Sequence, residues 1–124
     1  MKKFAIRLLG LAIAFSSVAA FAAQGDIVSV YIQTVSVVTV AFGGHQAGDM
    51  EIRILNGFTM PAGGVSCDSN YITTLKANDP DKKLFALLSM AQATKMPVSL
   101  RISDDPSLAA VSGRCSLLSV VLGQ

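Results

Sequence analysis

The sequence has no tryptophan, one histidine and two cysteines among 124 residues, and charged residues make up only 15% of it. Each shortage excludes something. One His and two distant Cys cannot complete a tetrahedral zinc site. Aromatics are 6% of the residues, and no Lys/Arg cluster follows the start of the chain beyond Lys82-Lys83, so a nucleic-acid surface is not expected. The glycines of "AFGGHQAGD" and "PAGGVS" match no phosphate-binding fingerprint, which argues against nucleotide use. No cofactor is expected.

What is present begins with an address. "MKKFAIRLLGLAIAFSSVAAFAAQ" joins Lys2, Lys3 and Arg7 to an apolar run over residues 8–15 and to small Ala20 and Ala22. This is the layout of a secretory signal peptide, with cleavage expected after Ala22 and export to the periplasm or the exterior. The run is well short of the roughly 20 residues that a bilayer span requires, so no stable membrane insertion is expected. No Cys near the site could accept a lipid.

Removing 22 of the 124 residues leaves 102, enough for one small domain over 23–124 and too few for two. Three of the ten basic residues leave with the signal. Seven then face eight acidic ones, and the formal charge turns from +2 to −1. In an oxidising compartment Cys67 and Cys115 are expected to form one disulfide, a structural staple rather than a redox pair.

Val28, Val30, Ile32, Val38, Val40 and Phe42 are apolar at every second position, which predicts strands. Two strands joined by the odd loop Thr34-Val35-Ser36 are expected. A single long strand bending around a barrel corner is the alternative, because no Gly supplies a positive φ there. "EIRIL", the turn Asn56-Gly57 and "FTM" read as a hairpin, "NYITTLK" as the next strand. The stretch "NDPDKKLFALLSMAQATK" then predicts a helix, with Asp79 as cap, Pro80 in the first turn and Asp81 at the positive end of the dipole. Leu84, Leu87, Leu88 and Ala91 share one face, so this helix should fill a core. "VSLRI" and "RCSLLSVVLGQ" complete the β structure. The last is apolar on both faces, with Leu118, Val120 and Leu122 on one and Cys115, Leu117 and Val121 on the other.

This order predicts a mainly β fold, an OB-like β-barrel with one amphipathic helix packed on it. Cys67, the segment "KKLFALLSMAQATKMPVSLRI" and Cys115 before a terminal apolar strand resemble small secreted bacterial proteins of that architecture, related to B subunits of the subtilase-cytotoxin and pertussis type of AB5 toxin. The resemblance implies a glycan-binding or protein-binding role and a homo-oligomer. No sugar-contacting residue of those subunits maps onto a position here. The terminal strand, free of charge and proline from Ser116 to Gln124, is the expected site of self-association, unless the helix covers its second face.

Catalysis has little to stand on. His45 lies in a glycine-rich loop with Asp49 four residues later, but no nucleophile elbow accompanies it. The pairs Asp104-Asp105 and Asp79 with Asp81 fit turns and a helix cap better than a glycosidase. The expected function is a secreted or periplasmic non-catalytic binding module, with a glycan or an envelope or secreted protein as partner. A small envelope protein with a structural or inhibitory role is the alternative, and a small hydrolase using His45 the remote one.

Overall fold

A computed structural model describes residues 21–123; residues 1–20, which carry most of the expected signal, lie outside them. The elements are β1 (Gln24–Val30), β2 (Ile32–Val37), β3 (Met50–Ile54), β4 (Tyr71–Thr74), a 3₁₀ turn (Lys76–Asn78), α1 (Lys83–Thr94), β5 (Val98–Ser103) and β6 (Cys115–Leu122). Among the described residues the protein is mainly β, one mixed six-stranded sheet with one helix. Its order is β1-β5-β6-β4-β3-β2, antiparallel except where β4 runs parallel to β6. Among the described residues no helix is long and apolar enough to cross a membrane.

The ladders do not close the sheet into the expected OB-like barrel. β1 and β2 form the two edges of the sheet, and no ladder joins them. They are nevertheless one run of chain, separated only by Tyr31. The hairpin through Thr34-Val35-Ser36 is absent, because those residues lie inside β2 and pair with Arg53, Ile52 and Glu51. The break comes earlier. Ser29 adopts a φ of 52°, and β1 slips register between Ile27 and Val30. The bulge inserts a residue and so reverses the face to which side chains point. Ile27 is therefore buried, Val28 is 70% exposed, and Ile32 is buried again. Val40 and Phe42, expected to extend the second strand, lie in the exposed connection over residues 38–49.

The Asn56-Gly57 turn exists, with Gly57 N–H donating to Ile54 at 3.1 Å, but residues 58–60 form no strand. β3 pairs instead with β4, after a connection over 55–70. Cys67 in that connection is joined to Cys115 at the head of β6, 48 residues away.

The helix starts at Lys83, after Asp81 and later than Pro80 would suggest. Asp79 still caps it from outside: its two carboxylate oxygens accept from the amides of Leu84 and Phe85, each at 3.1 Å. Leu88 and Ala91 drive into the core, with Leu84 and Phe85 packed at its margin. There they meet the inner sheet face of Ile52, Ile54, Ile72, Leu100, Ile102 and Leu117. The terminal strand is not a rim strand, since β6 lies between β5 and β4. Its expected faces are also reshuffled. A register shift opposite Arg101 and Ile102 inserts Leu118, so Cys115 and Leu117, then Val120 and Leu122, turn to the core and Val121 stays 61% exposed.

Candidate functional site

The outer face of β3 and β4 carries a cluster of charged and aromatic side chains. Residues alternate along a strand, so burying Ile52 and Ile72 sends Glu51, Arg53, Tyr71 and Thr73 to the other side. Two connections flank that face, 38–49 with His45 and 104–114 with Arg114. The second also crosses β4, where the Ala110 amide donates to the Thr73 hydroxyl at 3.2 Å.

Arg114 forms an ion pair with Glu51. Its guanidinium carbon lies 4.7 Å from the Tyr71 ring centroid, and that of Arg53 lies 5.6 Å from the same ring. His45 Nε2–H donates to Glu51 at 3.0 Å, and Arg114 Nη1 comes within 3.5 Å of the same nitrogen. The imidazole is 5% exposed, and its buried Nδ1 has no hydrogen-bond partner. Burial above all, and then Arg114, holds the His45 pKa below its ordinary value, against a smaller upward pull from Asp49. Although the Glu51 carboxylate would favour a charged imidazole, its own charge is matched by Arg114. A neutral His45 with the proton on Nε2 fits both observations.

The geometry does not assemble a Ser/His/Asp arrangement. Asp49 turns its two oxygens to the amides of Gln46 and Lys76, at 2.7 and 3.0 Å, and no hydroxyl hydrogen-bonds His45 among the described residues. The other carboxylates are engaged locally. Asp104 accepts from the amides of Ala23 and Ser66, Asp79 holds the helix start, and Asp81 pairs with exposed Lys83. The Ser107 hydroxyl and amide hold the Asp105 carboxyl below its usual range. No three His, Cys, Asp or Glu gather as metal ligands among the described residues.

Sequence reasoning singled out His45 but missed Glu51, Arg53, Tyr71 and Arg114, which lie up to 63 residues apart in the chain. Strand alternation in "EIRIL" and "NYITT" could have put Glu51, Arg53 and Tyr71 on outer faces; only the sheet order makes them neighbours. A hollow of roughly 490 Å³ lies elsewhere, between Tyr31, Leu55 and the end of the helix at Gln92 and Lys95. No family profile matches the chain, and neither a curated protein nor a solved structure shows a significant match to it.

Proposed function

We propose that the protein is a secreted or periplasmic, non-catalytic binding module that takes a glycan on the outer face of β3 and β4. The reading counts β1 and β2 as one bent first strand, continuous through Tyr31. On that count the sheet order is that of an OB-like barrel. β3 and β4 become its second and third strands, and 38–49 and 104–114 its first-to-second and fourth-to-fifth connections. OB folds bind oligosaccharides and oligonucleotides on that face and between those loops. The scarcity of cations favours the saccharide.

The observation that carries the reading is Tyr71 with two guanidinium groups over its ring, Arg114 at 4.7 Å and the exposed Arg53, which a ligand can displace, at 5.6 Å. An aromatic ring offers the apolar surface that a sugar face can cover, and Arg supplies forked N–H donors for hydroxyl or carboxylate oxygens. Arg53 is exposed and free of the Glu51 pair, so it can meet a ligand without dismantling the site. A glycan array tests this. The unaltered protein should retain a defined set of glycans, and Tyr71→Ala and Arg53→Ala should each lose it by about tenfold or more while still unfolding cooperatively, the loss expected for one good contact. Binding unchanged in both variants would overturn the assignment.

Assembly into a homo-oligomer, and the likeness to AB5 B subunits from which it was expected, belong to the same proposal. Val28 and Val121, both well exposed, support it.

A further inference from the structure

The six residues 39–44, at the tip of the connection between β2 and β3, are all exposed. They include Val40 at 73% and Phe42 at 67%. The tip is held on an ordered frame. Phe42 and His45 exchange backbone hydrogen bonds at 2.9 and 3.2 Å, the Val38 amide donates to Asp49 at 2.9 Å, and the His45 side chain is buried behind them. The neighbouring connection adds apolar surface, because Val111 lies 3.6 Å from where a β-carbon on Gly44 would stand.

Cations back this tip. The Lys76 side chain crosses Gly48 so closely that a β-carbon there would fall 2.6 Å from its Cδ. Lys82 Nζ donates to the Gly48 carbonyl at 3.0 Å, while Arg114, against His45, is matched by Glu51 and adds no free charge. The carboxylates nearby are occupied: Asp49 is 2% exposed with both oxygens on amides, and Glu51 is paired with Arg114. An apolar point carried in front of cations is complementary to a lipid surface, where acyl chains take the point and anionic headgroups the charge. A protein partner would need a hollow shaped for the tip. Phe is among the apolar side chains that interfacial segments bury at the headgroup boundary.

We infer that the 38–49 connection docks the protein on an anionic lipid bilayer, with Val40 and Phe42 entering the headgroup boundary and Lys76 and Lys82 meeting lipid phosphates. The inference does not depend on the glycan reading.

Because the sequence contains no tryptophan, Phe42→Trp places a single reporter at the tip. Its emission should shift to the blue with phosphatidylglycerol/phosphatidylcholine vesicles, less with phosphatidylcholine alone, and the shift should weaken with salt. In co-sedimentation with the mixed vesicles, Phe42→Ser and Lys76→Glu should each weaken binding about tenfold. Both positions are exposed, so unfolding midpoints should match the unaltered protein. Tyr71→Ala should bind vesicles as the unaltered protein does, which separates this result from the glycan test. Equal vesicle binding by Phe42→Ser, or no partition of the unaltered protein, overturns the inference. So does a concentration-dependent oligomer that Phe42→Ser abolishes without any vesicle binding, since the tip would then face a second copy.

Discussion

Asp49 accepts a hydrogen bond from the Lys76 amide at 3.0 Å, tying the end of the long connection before β3 to the turn that follows β4. Its second oxygen accepts from Gln46 within the connection at 2.7 Å. Removing a buried acceptor strands two donors, so Asp49→Ala should lower stability by about 1–3 kcal/mol in urea unfolding, and Asp49→Asn by less. An Asp49→Ala protein as stable as the parent would mean that water replaces both bonds.

His45 makes stability depend on pH. Its folded pKa lies below the ordinary value near 6.5, so between the two the unfolded chain binds the proton and the folded protein does not. The contribution is complete above about pH 6.5 and disappears as pH falls toward the folded value. Thermal unfolding should show a loss between pH 7 and pH 5 that is smaller in His45→Asn; parallel profiles would contradict this.

The Cys67–Cys115 bond closes a 48-residue separation. In the chain-entropy account such a closure contributes about 4 kcal/mol. It also anchors the 55–70 connection beside β6, where the Asp68 amide donates to Gly113 at 2.8 Å. Cys67→Ser/Cys115→Ser should therefore unfold at much lower urea, and thiol titration of the unfolded, unreduced parent should find none.

Gly25 is required by Pro61. A β-carbon on Gly25 would fall 2.4 Å from the proline Cγ. Gly25→Ala must push the 58–66 segment off β1, and a destabilisation of about 1–3 kcal/mol is expected by thermal unfolding. Amide exchange should speed up near Val65 more than near Leu88, which sits on α1.

Val28 and Val121 stand on the outer face of β1-β5-β6, 70% and 61% exposed. If copies assemble through this surface, sedimentation at micromolar concentration should show an oligomer, and Val121→Lys should reduce it to one chain. A single-chain mass for the parent would set the proposal aside.

The sequence by itself determined the kinds of element and much of their placement. β-branched Ile72, Thr73 and Thr74 made a strand of "YITT", alternating Val98, Leu100 and Ile102 made one of "VSLRI", and Leu88 and Ala91, one turn apart, made a helix face that must be buried. Asp79 was legible as a cap although Lys83, not Asp81, begins the helix, because a carboxylate can reach free amides from several residues away. The disulfide followed from having only two cysteines to pair. Tertiary structure decided the rest. Alternation reports which residues share a face but not where an extra residue reverses it, so the bulges at Ser29 and Leu118 turned Val28 and Val121 outward and put Val120 inside. Asn56-Gly57 forms its turn, yet which strand pairs with β3 depends on long-range burial, and β4 won over residues 58–60. The same holds for the candidate site. His45, Glu51, Tyr71 and Arg114 share no local spacing, and they meet only because β4 lies between β3 and β6 while two connections fold over its outer face.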